Sequence, residues 1–300
     1  MPKDLVVLGN LMLDDLVFGD GSTRMAEPGG AAIYSALGAS LWGLDVGVVS
    51  IVGTDYPDAA LAGMSARGID LAGVHPLGRP GVRIWLLYEE RLRQFVHRRE
   101  RPAHVEVSPG FERIPPAWRS SRAFHVSPMP FETQRDLVLE LTKIPGAFLS
   151  LDPLAPLKPA TWNEWRDVVS KVDAFFVSED EMQVEADAAD YLKTLRRLAG
   201  GRLRYVAFKR SARGGILYDA AADHVVHWEP RATTVVDPTG AGDAFATGTV
   251  AGLLRGETAE KALRRGLVAT SFVLEGFGPH ALLATTRQAA EARLLEWFPA

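Results

Sequence analysis

The chain has 300 residues, 47% hydrophobic and 23% charged, the balance of a soluble globular protein with an ample core. Its net charge of −4 offers no basic field for a nucleic-acid partner, and no apolar run reaches the length of a membrane span. The absence of cysteine excludes disulfides, thiolate catalysis and cysteine-ligated zinc, and fits a cytoplasmic protein. Leu5–Leu8 reads as a buried first strand, and the N-terminus around it as a strand pattern rather than a signal peptide. Residues 11–25 are mixed. Pro28-Gly29-Gly30 opens a helix that runs to about Trp42, followed by a strand at Val46–Val52 and a helix at 58–67. Residues 82–88 and 93–98 read as a hairpin. Further strands are expected at Ala123–Val126, 147–151, 174–177 and 204–208, separated by helices at 132–143, 163–171 and 188–199. A second hairpin follows at 215–218 and His224–Trp228, and the remainder is helical at 244–254, Ala259–Leu274 and 286–297. Strands alternating with helices predict a mainly parallel sheet covered on both faces, in one domain over 1–300 without repeats or linkers.

The most informative segment is Val236-Asp237-Pro238-Thr239-Gly240-Ala241-Gly242-Asp243-Ala244-Phe245. The β-prone run Thr233-Thr234-Val235-Val236 precedes it and a helix rich in small residues follows, so Gly240-Ala241-Gly242 should lie where a strand turns into a helix. Amides at a helix start lack intrahelical partners and, with the helix dipole, form an anion site. Asp243 then stands beside that site. A carboxylate there is badly placed to bind phosphate and well placed to take a proton from a hydroxyl that attacks one. A glycine-rich turn with a dipole-favoured Asp is the bland alternative.

Gly9-Asn10-Leu11-Met12-Leu13-Asp14 follows the first strand, at the strand end where open α/β sheets bind ligands. A carboxylate at Asp14 can accept two hydroxyl hydrogen bonds from a polyol, and Asp15 beside it reads as a solvated neighbour. Ser178-Glu179-Asp180-Glu181 and Lys209-Arg210-Ser211-Ala212-Arg213-Gly214-Gly215 each follow a strand. A cation at Lys209 would stabilise a β- or γ-phosphate, with a basic hairpin loop as the plain alternative. Arg83, Arg91, Arg93, Arg98 and Arg99 cluster around the first hairpin, where a solvated charged edge is the favoured reading over contact with an acidic substrate. There is no Gly-Lys-Ser/Thr P-loop, no Gly-x-Ser-x-Gly elbow and no His-Glu-x-x-His metal spacing.

Asp237-Pro238-Thr239-Gly240-Ala241-Gly242-Asp243 is similar to the C-terminal signature, Asp-Thr-x-Gly-Ala-Gly-Asp, of the PfkB/ribokinase family of carbohydrate and nucleoside kinases. Pro28-Gly29-Gly30-Ala31-Ala32-Ile33-Tyr34 resembles the N-terminal signature, with Tyr34 where many members carry Asn, which argues against ribose as the acceptor. The resemblance implies a ribokinase-like three-layer α/β/α fold with a mainly parallel central sheet and a small β-sheet lid formed by about 11–25 and 80–100. It implies an ATP-dependent kinase phosphorylating a hydroxyl of a small sugar or polyol. A nucleoside kinase is the alternative within the family, and a catalytically inactive sugar-binding regulator the alternative of another class.

In that picture Asp243 is the base and Gly240, Ala241 and Gly242 hold the transferring phosphate. Asp14, Asn10, Gly29, Gly30 and Tyr34 line the acceptor site. Lys209, Ser211, Gly214, Gly240, Gly242 and Gly278 lie on the nucleotide, with Lys209 in a Thr slot and Ser211 in a Gly slot of the family turn. Glu181 acts on Mg²⁺ through water, and Asp237 and Thr239 belong to the loop that binds K⁺ in some relatives. Gly53-Thr54-Asp55 reads as architectural. Asp152 matches a family Asp, but the Asn and Arg that often follow it are absent. The partners implied are a small molecule and, through the lid, a second copy of the chain.

Overall fold

All four residues of Leu5–Leu8 are buried, as in a strand covered on both faces. Leu5 and Val7 enter one core while Val6 and Leu8 enter another, the alternation a pleated strand imposes. The computed structural model describes residues 1–89, 92–184, 191–231 and 233–299. Its strands are β1 (Leu5–Leu8), β2 (Met12–Val17), β3 (Thr23–Gly29), β4 (Val46–Val52), β5 (Asp70–Pro76), β6 (Arg83–Glu89), β7 (Leu92–His97), β8 (Ala123–Val126), β9 (Phe148–Leu151), β10 (Ala174–Ser178), β11 (Tyr205–Lys209), β12 (Gly215–Asp219) and β13 (His224–Trp228). Its helices are α1 (Ala31–Ser40), α2 (Asp58–Ala66), α3 (His104–Val107), α4 (Phe131–Leu141), α5 (Trp162–Val169), α6 (Tyr191–Leu198), α7 (Ala241–Leu254), α8 (Ala259–Leu274), α9 (His280–Ala284) and α10 (Arg287–Trp297).

The large sheet has nine strands in the order β13-β12-β11-β10-β9-β8-β1-β4-β5. Every pair from β11 to β5 is parallel, and β12 and β13 add an antiparallel edge. Helices α1, α7 and α8 cover one face, and α4, α5 and α6 the other. This is the expected three-layer α/β/α arrangement, with the second, smaller sheet β3-β2-β6-β7. Leu16, Val82, Ile84, Leu86 and Val107 pack beneath that sheet as a core of their own.

The structure departs from the sequence reading in definite places. The mixed stretch 11–25 contains β2 and begins β3, which pair antiparallel with a register shift between Asp14 and Leu16. Strand β5 at Asp70–Pro76 was not anticipated; it is a partly exposed edge strand. The run 233–236 is not a strand. It borders neither sheet, and the Val236 amide instead bonds the Leu274 carbonyl at 2.7 Å, at the end of α8. The glycine segment therefore joins an irregular connection, not a strand, to α7. The start of the helix expected at 188–199 lies outside the described residues, as does Arg91.

Candidate active site

The ends of β1, β9, β10 and β11 and the start of α7 meet at one edge of the large sheet, the crevice where open α/β sheets take ligands. Helix α7 starts at Ala241, and Gly240 before it has φ 77. Only glycine suits that position twice over. The left-handed backbone disfavours a side chain, and a Cβ would stand 2.2 Å from Cγ of Tyr34. The Tyr34 ring thus lies directly against the turn. The Ala241 amide donates to the Pro238 carbonyl at 3.3 Å, closing that turn. This narrows the expected three-amide anion hole: Ala241 is committed to the turn, while no such bond is made by the Gly240 or Gly242 amides among the described residues. Asp243 is half-buried in the first turn of α7, and its carbonyl accepts the Thr247 hydroxyl at 3.1 Å.

The loop ahead of the helix is tied by Asp237. Its Oδ1 accepts the Thr239 amide at 2.9 Å and the Thr239 hydroxyl at 2.6 Å, and its Oδ2 accepts the Gly278 amide at 2.9 Å. The amide of Gly278 is therefore spent on the protein rather than presented to a nucleotide. Thr239 Oγ1 also lies 2.6 Å from the Tyr88 hydroxyl of β6, so the small sheet touches the loop that opens α7.

A second group of the expected residues is built from β2, β3 and the start of α1. Asp14 is buried, and a Cβ on Gly29 would fall 2.0 Å from its Oδ2, so the absence of a side chain at Gly29 is what admits the carboxylate. Gly30, with φ 90, is the residue before α1, and a Cβ there would meet the Asn10 carbonyl at 2.2 Å. Asn10 is 2% exposed, yet neither Nδ2 nor Oδ1 has a hydrogen-bond partner among the described residues. The buried Tyr34 hydroxyl is likewise unpartnered. Burial raises the Tyr34 pKa well above its ordinary value, and the nearby carboxylates of Asp14 and Asp237 add to it, so the phenol stays a neutral donor. Buried polar atoms left open cost free energy unless something binds them.

Asp15 is not the solvated neighbour expected of it. It is fully buried and accepts the Arg83 guanidinium at 2.7 and 2.8 Å, Arg98 at 3.2 Å and the Ala26 amide at 2.8 Å. Arg83 and Arg98 are thereby an internal clamp of the small sheet rather than a solvated edge. Asp55 has the architectural role expected, accepting the Gly81 amide at 2.8 Å and Arg101 at 2.6 Å.

Lys209 is the last residue of β11. Its ammonium bonds both oxygens of Asp152, at 2.8 and 3.0 Å, and stands 3.3 Å from where a Cβ on Gly242 would be. Asp152 carried no role in the sequence reading; the fold brings it to Lys209 from 57 positions away. Burial would lower the Lys209 pKa, but the carboxylates of Asp152, Glu181 and Asp243 outweigh it and raise it, which favours the ammonium form. Behind the pair, burial and then the Lys209 charge push the pKa of His125 down to about 3, leaving a neutral imidazole 2.9 Å from the Ser150 hydroxyl. Glu181 Oε2 accepts the Ser178 amide at 2.7 Å, which fixes its carboxylate at the rim of the same cluster. Ser211 is exposed with φ 49, a backbone glycine would tolerate better. Gly214 is buried with φ 72, and a Cβ there would strike the Trp228 carbonyl at 1.9 Å, so its first duty is the hairpin turn. The expected site residues thus fall into three groups, Asp14 with Asn10, Gly29, Gly30 and Tyr34, the Asp237–Gly242 loop, and Lys209 with Asp152 and Glu181, with Ser211 exposed apart from them.

The model of the pfkB family carbohydrate kinases matches residues 3–286. A cytidine kinase of Thermococcus kodakarensis is 33% identical over 284 residues, covering 92% of this chain and 97% of that protein. A fructokinase of Klebsiella pneumoniae is 26% identical over 261 residues, covering 82% and 83%. A putative ribokinase II of E. coli superposes with a TM-score of 0.79 in its apo form, at 20% identity and 99% and 100% coverage, and 0.78 in complex with ATP and Mg²⁺.

Proposed function

The chain belongs to the pfkB family of carbohydrate kinases, and on that premise we propose that Asp243 activates a hydroxyl of a small sugar or polyol for attack on the γ-phosphate of ATP. The observation that carries the assignment is the placement of Asp243 in the first turn of α7, next to the Gly240 turn and within the field of Lys209. The hydroxyl oxygen forms the new bond to the γ-phosphorus as its proton passes to Asp243. The bond to the bridging oxygen breaks, and its electrons remain on the β-phosphate of ADP. The amides of Gly240 and Gly242 and the Lys209 ammonium face the charge that moves. Asp14, Asn10 and the Tyr34 hydroxyl orient the acceptor, and Gly29 and Gly30 bring main chain close to it. The domain is read as one unit over 1–300, with the small sheet as a lid over the acceptor that limits ATP hydrolysis by water.

Mg²⁺, when bound, neutralises phosphate charge. Glu181 fits a role through water, because the Ser178 amide holds its carboxylate at the edge of an acidic cluster. For K⁺, the Asp237 carboxylate is already committed to three internal donors, so a monovalent cation here would rely on main-chain carbonyls. Ser211 and Gly214 shape the turn beside the nucleotide. Met25 and Val96, exposed at 47% and 42% on the small sheet, support pairing of two copies through that sheet.

A nucleoside acceptor is the second reading, favoured by the 33% identity to the cytidine kinase. Coupled ADP release against a panel of hexoses, pentoses, polyols and nucleosides, with and without K⁺, separates the two. Asp243→Asn should lower kcat by roughly a thousandfold or more with little change in Tm, as expected when proton acceptance is lost. Near-normal turnover in that variant removes Asp243 as the base. ATP binding without ADP release for any acceptor marks a binding protein instead.

A further inference from the structure

We propose that Asp152 is a positioning residue for phosphoryl transfer: it clamps the Lys209 ammonium against the start of α7, beside Gly242, in the orientation that meets the nucleotide phosphates. The inference rests on the kinase reading above. An ammonium has three donors. Both Asp152 oxygens engage it, at 2.8 and 3.0 Å, and Gly242 lacks the side chain that would otherwise meet Nζ at 3.3 Å. The remaining donor is therefore left toward the helix start. The main chain that carries this carboxylate is held on both sides. The Asp152 amide bonds the Val126 carbonyl at 3.0 Å, and its carbonyl accepts Nε2 of the buried Gln134 at 2.7 Å. The same Nε2 reaches the Ser127 carbonyl at 2.9 Å, so the ends of β8 and β9 are locked together beneath the ammonium.

A structural role explains this pair poorly. A buried ion pair contributes little net stability over well-packed apolar residues, so fold stability alone gives no reason to keep two charges here. The pair also sits where a cation is wanted. Pro153-Leu154-Ala155-Pro156 after Asp152 carries no positive charge; of the two arginines on the β11–β12 turn, Arg213 is engaged by Glu179 and Arg210 donates to the Arg213 carbonyl. Lys209 is thus the cation that β11 delivers to the phosphates. Asp152 removes its rotamer freedom before the substrate arrives, so ordering it costs nothing during the reaction.

The test compares wild type, Asp152→Asn, Lys209→Met and the double variant, reading ATP affinity by calorimetry and the kcat and KM of the best acceptor. Lys209→Met should weaken ATP binding and lower kcat by about a hundredfold, the scale of losing one preorganised charge donor. Asp152→Asn should lower kcat about tenfold while leaving the acceptor KM within about twofold. Because Asp152 acts through Lys209, the double variant should be no worse than Lys209→Met alone, a non-additivity that two independent roles would not produce. Wild-type kcat in Asp152→Asn, or losses that multiply in the double variant, overturn the proposal and leave the kinase reading standing. Failure of the wild type to bind ATP overturns both. Should Asp152→Asn not fold, Asp152→Glu replaces it: the charge is kept but the ammonium is displaced, so a lowered kcat at constant acceptor KM is again expected, and an unchanged kcat again overturns the proposal.

Discussion

Asn10 shows how a binding site can be read from a cost the fold leaves uncompensated. An amide that is 2% exposed with both polar atoms unpartnered destabilises the empty protein by about 1–3 kcal/mol relative to a satisfied group. Leucine has nearly the same shape and no polar atom to strand. Asn10→Leu should therefore leave the Tm of the empty protein unchanged or higher, and raise the acceptor KM by about tenfold or more. Calorimetry on the empty protein and initial rates on the best acceptor check the two halves. A variant that loses several degrees of Tm and keeps its KM would mean that Asn10 holds the fold rather than the substrate. Tyr34 belongs to the same argument. Its ring supports Gly240, while its unpartnered hydroxyl feels the Asp14 carboxylate, so in the proposed site one side chain joins the acceptor to the α7 turn.

At the scale of elements, Tyr88 ties the small sheet to the loop that opens α7. Tyr88 on β6 places its hydroxyl 2.6 Å from Thr239 Oγ1, and its ring stacks on Phe18 at 5.4 Å with an 8° tilt. Phe18 meets Phe277 edge-on at 5.6 Å, next to the Gly278 amide that Asp237 holds. The sheet, the α7 turn and the segment after α8 thus close as one unit. Tyr88→Phe keeps the stack and removes the hydrogen bond to Thr239, worth about 0.5–1.5 kcal/mol. We expect the ratio of acceptor-independent ATP hydrolysis to transfer to rise about threefold to tenfold, because a looser cover admits water. A ratio equal to the wild type would show that the contact does not govern closure.

How far these elements were legible follows from where their determinants lie. β1 is a continuous apolar run and β4 is one broken by Gly47 and Ser50, the pattern of strands covered on both faces, and the helix of small residues after Gly242 is unmistakable. β2 was illegible because it carries two buried acids, and what makes Asp15 tolerable in a strand is Arg83, 68 positions away. The run 233–236 misled for the opposite reason: its β-branched residues favour a strand, but the fold supplies no neighbour for it to pair with. At the site, the glycine turn and Asp243 were readable because they are contiguous. The Asp152–Lys209 pair was not, since it exists only when β9 and β11 reach the same end of the sheet.

Carboxylates fasten both sheets, Asp15 within the small one and Asp70 at the edge of the large one, and this sets the acid limit of the whole molecule. Burial pushes the pKa values of Asp15, Asp55 and Asp70 up, but hydrogen bonds outweigh it and hold each below the ordinary 3.8. The donors are Arg83 and the Ala26 amide for Asp15, the Gly81 amide and Arg101 for Asp55, and the Ala72 amide and Lys3 for Asp70. A carboxyl with a depressed folded pKa contributes stability that is fully present above its unfolded value and lost as pH falls through the folded one. Tm should therefore hold at neutral pH and drop progressively below about pH 5. Asp15 is the most deeply buried of the three and the least screened by salt, so its share of the drop should persist at high ionic strength. Asp15→Asn removes that share in advance: the variant is less stable at neutral pH, its Tm falls less steeply on acidification, and the two curves converge near the acid end. Parallel curves for wild type and Asp15→Asn across the titration would place the acid sensitivity elsewhere, and amide hydrogen exchange at acidic pH would then locate it by showing whether β2, β3 and β6 open before the large sheet or together with it.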